Sequence, residues 1–311
     1  MFDEQTIATL TAQFFNALTI GGIYALIALG YTMVYGIIEL INFAHGDIFT
    51  VGAFLSFVII TSLGVTGPIR DPRLLVGVLG ITFMITMPVM GLLGMGIDRF
   101  AYRPLRNAPR LTPLITAIGV SFILQNLIQV IFGPSPKSVP QIFPVDARFT
   151  VLGASISYLS IFIVLVTAVL TLTLHQFVSR SRLGRAMRAT AQYRQAAQLM
   201  GVNINTTIAL TFLLGSALAG AAGIVYGLYF GTIEFTLGFG AGLKAFTAAV
   251  LGGIGNLTGA VLGGFMIGFV EVITTQLGYA RWSEAVVFAV LIVVLVFRPT
   301  GLLGQQVGER A

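Results

Sequence analysis

The chain has 311 residues, of which 56% are hydrophobic and only 9% charged, and its mean hydropathy is +0.95. That leaves too little polar surface to coat a soluble globule, so the chain is expected to be a membrane protein. Its formal net charge of +6 then reads as membrane topology rather than nucleic-acid binding, and the absence of cysteine excludes disulfides, thiolate metal ligands and a cysteine nucleophile.

In chain order, the opening "MFDEQTIATLTAQFFNAL" carries Asp3 and Glu4 and no basic residue. It lacks the positive n-region of a cleaved signal peptide, so a first helix at about 14–35 is expected to stay in the mature protein. Next comes "GIIELINFAHGD", which sets Glu39, Asn42, His45 and Asp47 between two apolar runs. An unpaired carboxylate at the bilayer centre costs about 2.5 to 3.5 kcal/mol, so these side chains need a reason. In one reading the helix breaks at Gly46, Asp47 caps the next helix, and Asn42 and His45 satisfy backbone groups at the end of the previous one. In the other, the break lines a translocation path, as discontinuous helices do in transporters; the two are compatible. A catalytic His-Asp relay fits poorly, because residues two apart on a helix point to different sides. His175 is the one other histidine and there is no HExxH pair, so a zinc site has too few ligands.

Apolar runs at about 48–63 and 74–97 flank "GVTGPIRDPR" and lead to a first basic loop with Arg99, Arg103, Arg106 and Arg110. Their spacing would make a basic stripe against anionic lipid, but Pro104 and Pro109 interrupt it, which favours a general membrane-surface anchor. Runs at about 112–132 and 152–177, joined by a Pro-rich loop at 133–149, lead to a second basic loop with Arg180, Arg182, Arg185, Arg188 and Arg194. Both loops are expected in the cytoplasm, and the two crossings between them return the chain to the same side. Residues 185–200 are rich in helix formers, with Gly201 where a helix-terminating glycine belongs. This predicts a short cytoplasmic helix whose Ala, Leu, Met and Tyr193 surface suits a protein partner, with a solvated or lipid-surface loop as the plainer alternative.

The run at 207–230 crosses outward to "GTIEFTLGFG", and three further crossings at about 243–254, 257–275 and 284–297 bring "FRPTGLLGQQVGER", with Arg298 and Arg310, to the inside. The first of these three is short for a regular span, so a broken helix is expected around Gly252, Gly253, Gly255 and Asn256. Gly255, Gly259 and Gly263, followed by Gly264 and Gly268, form the small-xxx-small pattern of close helix contact. "GGIGNLTG" has no following Lys-Ser or Lys-Thr, and the chain has no Walker A motif, so an ATPase would have to be another subunit. Lys244 and Glu271 are intramembrane charges, read either as a structural pair or as functional groups; Glu234 lies just outside. The expected architecture is all-α: a polytopic transmembrane bundle of eight to ten helices, some discontinuous. Residues 1–311 form one transmembrane domain, with a cytoplasmic segment at about 180–205.

Four stretches, "GGIYALIALGYTMVYGIIELINFAHGDIFTVGAF", "LITAIGVSFILQNL", "GRAMRATAQYRQAAQLMGVNI" and "LKAFTAAVLGGIGNLTGAVLGGFMIG", together with the ending "FRPTGLLG", resemble the LivH-type permeases of bacterial branched-chain amino acid ABC importers. The resemblance runs over nearly the whole chain. It implies a multi-pass subunit of the bacterial inner membrane with its C-terminus in the cytoplasm. It also implies a second, homologous permease, two cytoplasmic ATPase subunits that bind ATP and Mg, and a periplasmic or lipid-anchored substrate-binding protein. No cofactor is expected in this chain. "QAAQLMG" looks like a degenerate EAA-x3-G coupling element, with Gln195 in place of Glu and no later Leu-Pro. Arg185, Arg188, Gln195, Ala196, Ala197 and Gly201 are thereby expected to couple to the ATPase. Glu39, Asn42, His45, Gly46, Asp47, Gly252, Gly253, Gly255 and Asn256 are expected to form the path or its helix breaks. Urea and short-chain amide permeases are similar, so the cargo stays open between branched-chain or related neutral amino acids and amides. An ion-coupled secondary transporter, with Glu39, Asp47 or Glu271 titrating, is the alternative of a different class.

Overall fold

The computed structural model describes residues 3–38, 42–106, 108–109 and 111–304. Among these, eight helices are long and apolar enough to cross a membrane. The chain runs α1 (Glu4–Ile38), α2 (Ala44–Ser62), α3 (Pro72–Ile97), a π-helical turn (Asp98–Tyr102) and a 3-10 turn (Arg103–Leu105), then α4 (Leu111–Phe132). Short strands β1 (Lys137–Ser138), β2 (Arg148–Val151) and β3 (Ala154–Ser157) precede α5 (Tyr158–Arg180), α6 (Arg182–Gln192), α7 (Arg194–Leu199) and α8 (Ile204–Phe230). Strand β4 (Thr232–Ile233), α9 (Leu237–Gly252), α10 (Leu257–Gln276) and α11 (Ser283–Phe297) complete it.

Most helix starts follow from local chemistry. Asp71 accepts from the Arg73 amide ahead of Pro72, Ser157 accepts from the Leu159 and Ser160 amides, and Ser181, Asn203 and Asn256 do the same for α6, α8 and α10. Each cap satisfies a donor that the first helical turn leaves free.

Burial separates two classes of helix. In the spanning windows, 89% of α1 and 72% of α2 and α8 are buried, against 17% of α4 and α5 and 11% of the last span, so the first three form the centre. The outer helices present Leu, Ile and Phe outward, as a lipid or subunit contact requires. Glycine makes the central contacts close. A Cβ on Gly21 would lie 2.7 Å from the Phe265 Cα, and one on Gly52 would lie 2.8 Å from the Gly220 Cα. The expected small-residue pattern divides between two faces of α10: Gly259 and Gly263 meet α9, whereas Gly264 and Gly268 meet α1. Gly255 belongs to neither, because it sits in the turn before α10.

Two ends of the bundle can be told apart. At one, β1 pairs with β4, and the Ile69 amide donates to the Ile142 carbonyl at 2.8 Å, so the loops after α2, α4 and α8 lie together. These are the three loops expected outside. At the other end Arg106 reaches Asn205 at 2.6 Å and Arg194 reaches the Ile37 carbonyl at 2.8 Å, which gathers both basic segments. The Pro-rich loop thus contributes β1 and the start of β2 to two small β ladders that composition did not announce. The single helix expected over 185–200 is two helices, because Tyr193 is extended (φ −155°, ψ 97°). Arg106 does not belong to a basic surface stripe; it forms an ion pair with buried Asp98 at 2.6 Å.

Candidate translocation path and coupling segment

Between α1, α2, α4 and the start of α9 lies a cavity of about 660 Å³. Tyr24 and Tyr31 come from α1, Phe43 and Asp47 from the start of α2, Ser121, Phe122 and Gln125 from α4, and Leu237 to Ala241, Lys244 and Phe246 from α9; Tyr226, Glu234 and Glu284 complete the polar lining. Its size falls in the range of about 300 to 1,000 Å³ typical of small-molecule sites.

Asp47 is almost fully buried, in the first turn of α2, where the helix dipole favours an anion. Gln125 Nε2 donates to Asp47 Oδ1 at 2.9 Å, and the Ser121 hydroxyl donates to Oδ2. Both donors come from the middle of α4, so the carboxylate lies part-way across the membrane-length bundle. The expected helix break at Gly46 is therefore misplaced: Gly46 and Asp47 are inside α2, and Asp47 binds side chains rather than capping amides. Gly46 instead makes the α2–α9 crossing, since a Cβ there would collide with the Gly238 carbonyl and lie 3.2 Å from the Gly242 Cα.

Nor do Asn42 and His45 serve the end of α1. Asn42 Oδ1 accepts from the Tyr102 hydroxyl at 2.6 Å, and Tyr102 stacks on Phe212. His45 is fully buried, edge-on to Tyr31 at 4.7 Å between ring centroids and seated over Gly30, outside the cavity lining. Glu39 lies outside the described residues.

The second expected break does occur where the sequence put it. α9 ends at Gly252; Gly253 and Gly255 take φ of +106° and +90°, and Asn256 opens α10. These residues do not line the large cavity; they lie at the arginine end, where the Leu302 and Leu303 amides donate to the Leu251 and Gly252 carbonyls and Asn256 Nδ2 donates to the Leu303 carbonyl. This turn is clamped by the 302–303 backbone and lies outside the lining of the large cavity.

Lys244 and Glu271 pair at 2.9 Å, as the structural reading expected. Lys244 lines the cavity and Glu271 stands behind it: Tyr24 donates to Glu271 at 2.7 Å, and Glu284, on the lining, stands 3.8 Å from Lys244. Sequence reading missed Ser121 and Gln125. Their signal was a polar pair four residues apart near the middle of a largely apolar helix, which places both on one face.

In the segment expected to couple, Arg185, Arg188, Gln195, Ala196 and Gly201 are exposed and Ala197 is buried. Arg185 donates to the Arg180 carbonyl at 3.2 Å and Arg188 to the Val178 carbonyl, so both cover the end of α5, where cations are favoured. Ala197 is buried, and Gly201 (φ +84°) terminates the segment. Gln195 and Ala196 are exposed beside Tyr193, Leu199 and Met200; Leu199 is 89% and Met200 84% exposed. That leaves an apolar surface on α7 for a partner to cover.

Membrane-length helices folded around a cavity with charged and aromatic walls define a polytopic integral-membrane protein with an internal site for a small molecule. The family described as branched-chain amino acid transport system, permease component, matches residues 13–295. The high-affinity branched-chain amino acid transport system permease protein BraD of Pseudomonas aeruginosa is 44% identical over 301 residues, covering 96% of this chain and 97% of that protein. LivH of Escherichia coli K12, a permease of the same description, is 43% identical over 303 residues and 96% of each chain. A probable LivH of Methanocaldococcus jannaschii is 25% identical over 307 residues. The chain belongs to the branched-chain amino acid transport permease family. No solved structure matches it.

Proposed function

We propose that this chain is the membrane permease subunit of an ATP-driven importer for branched-chain or closely related neutral amino acids. The observation that carries the reading is the cavity between α1, α2, α4 and α9, whose aromatic and aliphatic walls suit an apolar side chain and whose few polar groups suit a charged backbone. Residues 1–311 act as one permease domain in the bacterial cytoplasmic membrane, with the arginine end and the C-terminus in the cytoplasm. A second, homologous permease completes the pathway, a periplasmic or lipid-anchored binding protein delivers the cargo, and two ATPase subunits hold ATP and Mg.

The ATPase docks on the exposed face of α7, at Gln195, Ala196, Leu199 and Met200. Force passes from α7 through Arg194 to the last turn of α1, which leads into the start of α2 and Asp47. The α9–α10 turn at Gly253–Asn256 sets the angle of the cavity wall. Arg185, Arg188, Ala197 and Gly201 shape the docking segment without touching the partner.

Co-purification from native membranes, followed by ATP-dependent uptake of labelled leucine and of urea, tests this reading. Recovery of two ATPases and a second permease with leucine uptake is the expected result. Urea uptake would keep the importer and change its cargo, whereas activity of the chain alone in an ion gradient would replace the reading with a secondary transporter. Within the complex, Ala196→Asp is expected to lower ATP-coupled uptake with unchanged thermal stability; unchanged uptake would remove α7 from the docking surface.

A further inference from the structure

Asp47 is a carboxylate without a cation. Two neutral donors, Ser121 and Gln125, hold its two oxygens, and no Lys, Arg or His pairs with it among the described residues. A carboxylate offers about four acceptor sites, so these donors leave room for a further one. The dipole of α2 and the two hydrogen bonds favour the ionised form, yet a carboxylate at membrane depth is costly unless a positive group meets it. His45, two residues earlier, turns its ring to Gly30 and Tyr31 instead.

The rest of the lining has the same bias. Asp47, Glu234 and Glu284 face a single described base, Lys244, which is already paired with Glu271. Tyr31, Phe122 and Tyr226 line the same space, and aromatic ring faces attract cations rather than anions.

We infer that the cavity is a binding site for a primary ammonium, in which the Asp47 carboxylate, held open by Ser121 and Gln125, receives the α-ammonium group of the passing amino acid while its side chain lies against the aromatic wall. This rests on the amino-acid importer reading above and deepens it: the permease itself checks for the ammonium after the binding protein releases the cargo. Lys244, with one of its protons on Glu271, is left to face the cargo carboxylate.

The chain contains no cysteine, which makes occupancy measurable. Phe239→Cys places one thiol on the cavity wall, and its maleimide labelling is followed on this chain in membranes holding the complete importer, with leucine, isoamylamine or isocaproate added. Leucine and isoamylamine, which carry the ammonium, are expected to slow labelling, and isocaproate, which lacks it, is not. Adding Asp47→Asn, which preserves the shape and the bond accepted from Gln125 and reverses the one to Ser121, whose hydroxyl can accept from the new amide, is expected to weaken protection by about thirtyfold or more, the loss typical of removing one member of a buried charge pair. Equal protection by isocaproate, protection by none of the three, or undiminished protection in the Asn variant would overturn the inference. Should the Asn variant fail to assemble, the three probes on Phe239→Cys alone decide it. ATP-driven leucine uptake by the unmodified complex tests the parent reading separately: intact uptake with no ammonium-dependent protection sinks the Asp47 site alone.

Discussion

Two interruptions of the helical bundle, one between α1 and α2 and the other between α9 and α10, look alike in the sequence: each sets glycine and polar side chains between apolar runs. Their structures are unlike. At the first, the polar side chains find partners on distant helices, with Asn42 on Tyr102 and Asp47 on Ser121 and Gln125, and glycine serves close packing at Gly46 against Gly238. At the second, glycine serves the backbone, with positive φ at Gly253 and Gly255, and Asn256 caps its own helix while holding the C-terminal segment. Tertiary partners make the first a site; local chemistry makes the second a joint.

That contrast is open to test, beginning with the largest effect. Gly46→Leu is expected to remove folded protein from the membrane, because backbone of α9 occupies the space and cannot yield; normal amounts of a monodisperse variant in detergent would show that α2 and α9 do not cross there. Lys244→Met leaves Glu271 with Tyr24 as its remaining close partner and is expected to cost about 3 kcal/mol, the scale for stranding a buried charge, with Lys244→Met/Glu271→Gln recovering much of it in thermal unfolding. Asn256→Ala loses both a helix cap and the hold on Leu303, an expected loss of about 1 to 2 kcal/mol read as a lowered melting temperature. Tyr102→Phe is expected to cost about 1 kcal/mol and to lower uptake more than Asn256→Ala does, since it loosens the approach to Asp47; the reverse ranking would make the joint, not the site, the functional interruption.

The helices and the two ends of the bundle were legible in the chain because hydropathy and arginine placement act locally. Asp47 was legible too, as a carboxylate where lipid-soluble residues prevail. Its setting was not: Ser121 and Gln125 lie 74 and 78 residues away, and nothing near Asp47 in the chain announces them. His45 misled for the same reason, since its surroundings are Gly30 and Tyr31, an aromatic packing contact that spacing along α2 does not encode. Arg185 and Arg188 carried the right charge for a cytoplasmic segment, but charge alone does not announce that each also donates to a carbonyl at the end of α5. The cavity walls contributed by α9 and by Glu234 required knowing which helices are neighbours.

The short ladder between β1 and β4 limits how this molecule can open. Strand β4 runs almost directly into α9, and β1 follows α4, so the ladder ties together the two walls that carry Lys244 and the Asp47 donors. Parting them on that face would tear backbone hydrogen bonds, whereas swinging α11 aside breaks no ladder. Among the described residues the α4–α9 corner is therefore the more firmly tied flank of the cavity, and the flank of Glu284 the less tied one.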